Sequence, residues 1–136
     1  MGLIVEYRKL HLAEEYFRLL IYTNVQQSES AHSINVPLAK ELLKTKANRR
    51  SMQLEKCFVQ VLGLLPETPA VKDIDVMFNP AYEVDVLKVL MSAYKQKPFS
   101  LIWPGQYEDG RLIYSAEGFS DYKVYDISDY DIVCVI

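Results

Sequence analysis

The apolar residues of this chain fall into two kinds of pattern, short continuous runs and stripes with a helical period. The runs at 17–22, 99–103 and 131–136 have the length and composition of buried strands. Strands that alternate with helices predict an α/β fold. The clearest helical stripe recurs at spacings of three and four along one face: Leu54, Cys57, Phe58, Val61, Leu62 and Leu65.

Proline, serine and glycine mark the ends of the helices predicted in the first half. Residues 3–16 combine good helix formers with mixed periodicity and predict a helix. Pro37 suits the first turn of a second helix, through about Thr45, because the N–H that proline lacks is not needed there. Ser51 is the predicted N-cap of the helix that carries the stripe, and Gly63 marks its end.

The segment between the first two helices is predicted as a strand, a loop and a second strand. The run 17–22 is the strand, the polar residues 23–33 are the loop, and 34–36 is a brief second strand. The second half reads as strand, helix, strand and hairpin. Apolar and polar residues alternate over 70–78 and predict a strand on which Asp73 and Asp75 share a face. Asn79-Pro80 is predicted to open a helix that ends near Lys97. Glu108-Asp109-Gly110 is a predicted hairpin turn that begins a C-terminal β meander.

Composition limits the class of protein. The chain has 136 residues, 50% of them hydrophobic, and no Ser/Gly/Pro-rich segment, which predicts a single domain over 1–136. Its apolar runs are far too short to cross a bilayer and its first residues lack a signal-peptide pattern, so we expect a cytoplasmic protein with no membrane contact. Cys57 and Cys134 stand far apart in apolar runs and are expected to be buried thiols.

The net charge of −3 conceals an asymmetry along the chain. Residues 1–60 carry nine Lys/Arg and six Asp/Glu, a net +3, and residues 61–136 carry six and twelve, a net −6. An acidic second half argues against a protein that wraps nucleic acid over its whole surface. A local phosphate-binding patch stays open, at Lys44, Lys46, Arg49 and Arg50.

The first half lacks the phosphate-binding loop of a nucleotide-binding α/β sheet. Such a loop is a Gly-rich turn after the first strand, followed by Lys and Ser/Thr. Here the residues after the strand read TNVQQSESAHSI, no glycine occurs between Leu3 and Gly63, and no Gly-Lys-Ser/Thr occurs anywhere.

The second half carries a series of motifs in a fixed order. It has an apolar segment that ends in an Asn-Pro corner, a Leu-rich helix, a strand that ends in Trp-Pro-Gly, and a Tyr-rich tail. The motifs are Met77-Phe78-Asn79-Pro80, Val86-Leu87-Lys88-Val89-Leu90, Ile102-Trp103-Pro104-Gly105, Ile113-Tyr114-Ser115-Ala116-Glu117-Gly118 and Asp121-Tyr122-Lys123-Val124-Tyr125.

On these motifs the chain resembles the BrxF proteins, P-loop-containing components of type III BREX phage-defence systems. The resemblance covers roughly 100 residues and is most specific at Trp103-Pro104-Gly105 and Tyr114. It implies a reduced P-loop NTPase-like sheet with flanking helices and a C-terminal β meander. The chain departs from the family at the nucleotide site, because the glycine-rich loop has no counterpart and the family's metal-orienting aspartate would fall near Lys72. We therefore expect a degenerate P-loop and no cofactor.

The resemblance implies a part in antiviral defence and phage resistance through protein–protein interaction. We expect a non-catalytic adapter or assembly factor of a BREX-type system, which binds other defence-system proteins, contacts DNA only weakly, and could form a homo-oligomer. Tyrosine suits interfaces because it covers apolar area while its hydroxyl stays in water. The candidate interaction residues are Lys44, Lys46, Arg49, Arg50, Trp103, Tyr107 and Tyr114.

The competing hypothesis is an enzyme. One form is a nucleotide-binding, ATPase-like subunit with an unconventional phosphate loop. The other is a metal-dependent nuclease in which Asp73 and Asp75 hold the metal. Two carboxylates on one strand more often lie on its solvent-exposed face than form a catalytic or metal site, so no catalytic or metal-binding residue is assigned. His32, in the polar loop, has no acidic partner in a recognisable motif.

Overall fold

The computed structural model describes residues 1–9, 17–23 and 30–136, which fold as strands alternating with helices. The α-helices are α1 (Asn35–Leu43), α2 (Arg50–Leu62) and α3 (Val86–Gln96). The strands are β1 (Leu3–Val5), β2 (Leu19–Tyr22), β3 (His32–Ser33), β4 (Ala70–Lys72), β5 (Ser100–Ile102), β6 (Gln106–Glu108), β7 (Arg111–Tyr114), β8 (Lys123–Asp126) and β9 (Ile132–Val135).

The centre of the fold is a parallel sheet. Among the described residues it has six strands in the order β1-β9-β2-β5-β4-β3, and every neighbouring pair is parallel. The strands β6, β7 and β8 form a separate antiparallel sheet. The predicted α/β class, with a mostly parallel sheet, flanking helices and C-terminal antiparallel strands, is therefore confirmed.

The C-terminal apolar run lies inside the domain's own sheet. The strand β9 pairs with β1 on one side and with β2 on the other, in a register that sets Ile132 opposite Leu19 and Val135 opposite Tyr22. Its four side chains are all buried, as the continuous apolar run predicts for a strand covered on both faces. The antiparallel meander thus ends at β8, and the chain then returns to the central sheet.

The predicted helix over 3–16 is wrong at its start. Residues 3–5 form β1 and residues 7–9 a 3₁₀ turn, while 10–16 lie outside the described residues. Residues Leu3, Ile4 and Val5 have high strand propensity, and the hydrogen-bonding edge of β9 lets them pair. Long-range pairing therefore prevails over the local helical pattern.

Two boundaries in the first half also differ from the prediction. The short strand lies at His32–Ser33 and not at 34–36, because Ile34 already precedes the first turn of α1. The helix α2 starts at Arg50, directly after the 3₁₀ turn Ala47–Arg49, so Ser51 is inside the helix and is not its N-cap. The apolar stripe of α2 is buried as predicted, with Leu65 partly buried beyond the helix end at Gly63.

The predicted strand over 70–78 is wrong beyond Lys72. Asp73 has a φ of 54°, which ends β4, and Asp75–Phe78 is a 3₁₀ turn. Asn79 caps a second 3₁₀ turn, Pro80–Tyr82, and not the long helix. The helix α3 has its own cap, Asp85, whose side chain accepts a hydrogen bond from the Lys88 N–H.

The hairpin turn at 108–110 is confirmed. Strands β6 and β7 pair with Glu108 opposite Arg111, and the two residues between them have φ of 48° at Asp109 and 79° at Gly110. Positive φ at both positions is the geometry of the type I′ turn that Asp-Gly favours.

Candidate functional site

The carboxyl ends of the parallel strands meet at one edge of the sheet, where α/β proteins usually bind ligands. Thr23 follows β2 there, Asp73 follows β4 and Trp103 follows β5. The backbone N–H and the hydroxyl of Thr23 each lie 3.0 Å from the Val135 carbonyl oxygen and donate to it. The Trp103 N–H donates to the Tyr22 carbonyl over 2.9 Å. Polar groups along this edge therefore bind neighbouring strands.

The Trp-Pro-Gly corner attaches the small sheet to this edge. The Trp103 indole N–H donates to the Ile113 carbonyl over 3.0 Å. A Cβ on Gly105 would lie 2.0 Å from that same oxygen, so only glycine allows the approach. The most specific part of the family resemblance thus has a structural role in this chain, since it holds β7 against the end of β5.

A continuous row of aromatic rings crosses the interior from this corner. Tyr114 and Phe78 stack with ring centroids 3.7 Å apart and an interplanar angle of 8°. Phe78 meets Trp103 edge-on at 5.8 Å, and Trp103 meets Tyr125 edge-on at 5.9 Å. Tyr125 in turn meets Tyr130 at 5.8 Å. The row joins the small sheet to the loop that precedes α3.

One end of the row is anchored to Asp75. The Tyr114 hydroxyl donates to Asp75 Oδ1 over 2.8 Å, and Asn35 Nδ2 donates to Asp75 Oδ2 over 3.1 Å. Asn35 Oδ1 accepts from the Val76 N–H over 2.9 Å, which locks the amide in place. Burial and, after it, the Asp75 carboxylate raise the pKa of Tyr114 above its ordinary value. The phenol therefore stays protonated and keeps donating.

The other end of the row is anchored to Asp85. The Tyr130 hydroxyl donates to Asp85 Oδ2 over 2.7 Å, while Oδ1 caps α3. Burial and the Asp85 hydrogen bond raise the pKa of Tyr130. Tyr125 is 5% exposed, and its hydroxyl has no hydrogen-bond partner among the described residues. Burial, the largest cause, and the Asp85 carboxylate raise the pKa of Tyr125, while the Val86 backbone N–H acts in the opposite direction.

An open cavity of about 460 Å³ lies beside this second anchor. Its walls carry two carboxylates, one ammonium group, one serine hydroxyl and two tyrosine rings. The residues that bear these groups are Glu83, Asp85, Lys123, Ser120, Tyr125 and Tyr130. Glu83 has a φ of 51°, which turns the backbone sharply between the 3₁₀ turn and α3.

Asp73 and Asp75 do not share a strand face. Asp75 lies in the 3₁₀ turn after β4 and its carboxylate accepts from Tyr114 and Asn35, whereas Asp73 lies at the end of the strand; both residues are exposed. The paired-carboxylate geometry on which the nuclease alternative depended is therefore wrong. Across 1–9, 17–23 and 30–136, no group of three His, Cys, Asp or Glu side chains is placed to hold a metal ion.

The four predicted basic residues lie around the turn between α1 and α2 but differ in their contacts. Lys44, Lys46 and Arg49 are exposed, and Lys44 forms an ion pair with Glu41 at 3.0 Å. Arg50 is half-buried, and its Nε donates to the Leu42 and Thr45 carbonyls over 3.0 and 3.1 Å. The guanidinium of Arg50 thus closes the end of α1.

The three predicted aromatic residues lie in or against the core. Trp103 and Tyr114 are 4% and 7% exposed, and Tyr107 on β6 is half-buried against them. Trp103 and Tyr114 can therefore shape a surface only through the residues that cover them. Sequence reasoning missed Asn35 and Asp85; the signal for Asp85 was its position just before the apolar face of α3.

No protein-family model, curated protein or solved structure matches this chain. Within the described ranges, no helix is both long and apolar enough to cross a membrane.

Proposed function

We propose that this chain is a non-catalytic adapter of a BREX-type anti-phage defence system in the cytoplasm. It assembles with other proteins of that system and contacts DNA only weakly. The motifs of residues 71–118 supply the link to phage defence, through their resemblance to the BrxF proteins. The contacts at the carboxyl edge of the sheet support a non-catalytic function.

The observation that carries the proposal is the use of polar groups at that edge. In a nucleotide-binding sheet, the residues that follow the central strands leave hydroxyls and carboxylates for phosphates and magnesium. Here Thr23 donates to the Val135 carbonyl, Asp75 accepts from Tyr114 and Asn35, and the Trp103 indole donates to Ile113. Each of these groups stabilises the domain, which suits a scaffold.

The order of the strands supports a reduced P-loop-like sheet. The strand β2 lies between β5 and β9, and the chain passes from it to β3 at the far edge before it returns through β4 and β5. A phosphate loop would follow β2, at the switch in strand order. Residues 23–33 contain neither glycine nor lysine, so that position lacks both the flexible backbone and the cation that phosphates require.

Calorimetry with ATP and magnesium tests the loss of the nucleotide site. We expect no binding at about millimolar nucleotide; a dissociation constant in that range corresponds to a binding free energy of only about −4 kcal/mol. A micromolar dissociation constant would overturn the adapter proposal in favour of a nucleotide-binding subunit.

Complementation in a phage-plating assay tests the role in defence. A host from which the chain is deleted should lose protection, and the wild-type chain should restore it and co-purify with other proteins of the system. The Asp73→Asn variant should restore protection to the same extent as the control variant Asp109→Asn, because both change an exposed aspartate at positive φ. Loss of protection, together with loss of metal-dependent DNA cleavage, in Asp73→Asn alone would establish an enzyme.

A further inference from the structure

Two surfaces of this chain carry opposite charge. The first is the turn between α1 and α2, residues 44–49, which we name the basic turn. It presents the ammonium groups of Lys44 and Lys46 and the guanidinium of Arg49, all exposed. The second is the cavity of about 460 Å³ beside the start of α3, whose described walls include the acidic residues Glu83 and Asp85 and one basic residue, Lys123.

The cavity has the chemistry that recognises a basic side chain. Carboxylates bind ammonium and guanidinium groups, and the half-buried ring of Tyr130 adds an aromatic surface for cation–π contact. Asp85 is held in place by Lys88 and Tyr130, so it is ready to accept a further donor. The buried Tyr125 hydroxyl is a second, independent indication, because buried polar groups are rarely left without a partner.

We propose that the cavity binds Lys46 or Arg49 from the basic turn of a second copy of this chain. The chain then self-associates through contacts between surfaces of opposite charge. This inference does not depend on the adapter role or on the defence system. It identifies one partner, and it assigns a binding site to residues that the sequence motifs did not single out.

The surroundings of the basic turn favour a protein partner over nucleic acid. Leu43 and Met52 flank it, with 69% and 78% of their surfaces exposed. Apolar side chains ringed by charge are typical of the centre and rim of a protein interface. The −6 net charge of residues 61–136 would instead repel a nucleic acid at long range.

Sedimentation velocity over a range of protein concentrations tests the proposal. Wild-type protein should associate at about 0.05 M salt and at least tenfold more weakly at about 0.5 M, because salt screens the charges. The turn variant Lys46→Glu/Arg49→Glu and the cavity variant Glu83→Lys should each lose self-association. Lys95→Glu, which reverses an exposed charge near the end of α3, is the control and should associate as the wild type does.

Mixing the two defective variants gives the decisive result. The intact turn of the Glu83→Lys protein fits the intact cavity of the Lys46→Glu/Arg49→Glu protein, and the two reversed surfaces are also complementary. A 1:1 mixture should therefore recover association that neither protein shows alone. Fluorescence of the buried Trp103, the one tryptophan of the chain, shows whether each variant is folded before mixing.

The sign of the effect at Lys123 separates a cationic occupant from an anionic one. Lys123→Ala removes the one positive charge that the described residues place on the cavity wall, and should tighten self-association several-fold. Weaker association would mean that the cavity binds an anion, and would overturn the proposal. A wild-type protein that stays monomeric at every salt concentration, or a mixture that recovers nothing, would overturn it too. DNA binding tighter than micromolar at physiological salt, lost only in the turn variant, would assign the basic turn to nucleic acid.

Discussion

The Tyr114 hydroxyl donates a 2.8 Å hydrogen bond to the Asp75 carboxylate, and this contact connects the small antiparallel sheet to the turn after β4. The two residues are 39 positions apart in the chain. Their contact accounts for two observations. Asp75 is held in the 3₁₀ turn after β4 although it is exposed, because its carboxylate accepts from Tyr114 and Asn35. Tyr114 has a buried ring, because its hydroxyl reaches that carboxylate.

A double-mutant cycle measures this contact. Tyr114→Phe keeps the stack on Phe78 and removes only the donor, so the free energy of unfolding should fall by about 1.5–3 kcal/mol, the range for hydrogen bonds to charged groups. Because Tyr114→Phe and Asp75→Asn act on the same bond, their effects should be non-additive by about 1 kcal/mol or more. Tyr107→Phe on the neighbouring strand is the control, with a change within about 0.5 kcal/mol. Additive effects would show that the contact contributes nothing.

The corner at Gly105 should not tolerate a side chain. Gly105→Ala places a methyl group 2.0 Å from the Ile113 carbonyl oxygen, so β7 must move and the Trp103 indole loses its acceptor. We expect the free energy of unfolding to fall by about 1–3 kcal/mol in urea titrations followed by Trp103 fluorescence. Gly63→Ala is the matched control, because that glycine has a helical φ of −62° and its nearest neighbour is 3.3 Å away. Equal effects at both positions would contradict the close approach at Gly105.

Removal of residues 131–136 should unfold the domain. The strand β9 lies between β1 and β2, and burial of each of its side chains contributes about 1.5–3 kcal/mol, which together is comparable with the stability of a small domain. We expect insoluble protein or a molten circular-dichroism spectrum. A soluble, folded truncation that changes only from oligomer to monomer would place the strand in an interface between copies.

Stability should decrease at alkaline pH. Burial raises the pKa of Cys134 from 9.0 to about 12. The folded chain therefore keeps a proton that the unfolded chain releases, so the contribution of Cys134 to stability is constant below pH 9 and falls between pH 9 and 12. One such group contributes a slope of about 1.4 kcal/mol per pH unit. Cys134→Ala should start from a lower stability and show a shallower slope just above pH 9, in urea titrations at several pH values. An unchanged slope would show that the thiol does not titrate in this way.

Contact with DNA should be weak and sequence-independent. The three exposed cations of the basic turn, Lys44, Lys46 and Arg49, predict a dissociation constant above the micromolar range at physiological salt and a steep dependence on salt. Lys46→Ala/Arg49→Ala should reduce the slope of log K against log salt by about 2. Arg50→Ala should instead lower stability, because Arg50 caps α1. Tight binding that resists salt would indicate base readout that this surface does not explain.

The chain's local patterns determined the elements whose signals are themselves local. The stripe of α2, the apolar runs of β2, β5 and β9, the Asp-Gly hairpin and the buried thiols all follow from periodicity, propensity and turn chemistry. These signals suffice for the α/β class. They also predicted that the last strand is buried, because a run of apolar side chains does not stay in water, and its shortness and the turn at Ser128-Asp129 favoured its own sheet over an interface.

Tertiary structure decided the rest through contacts between distant residues. Leu3–Val5 is a strand because it pairs with β9. The segment after Lys72 leaves the sheet because Asp73 has a positive φ and the Asp75 carboxylate accepts hydrogen bonds from Tyr114 and Asn35. The cavity beside α3 combines Glu83 and Asp85 with Lys123, Tyr125 and Tyr130 from the other end of the sequence. The periodicity of apolar residues depends only on neighbours along the chain. Hydrogen bonds and ring contacts, in contrast, form between any groups that the packed core brings close together.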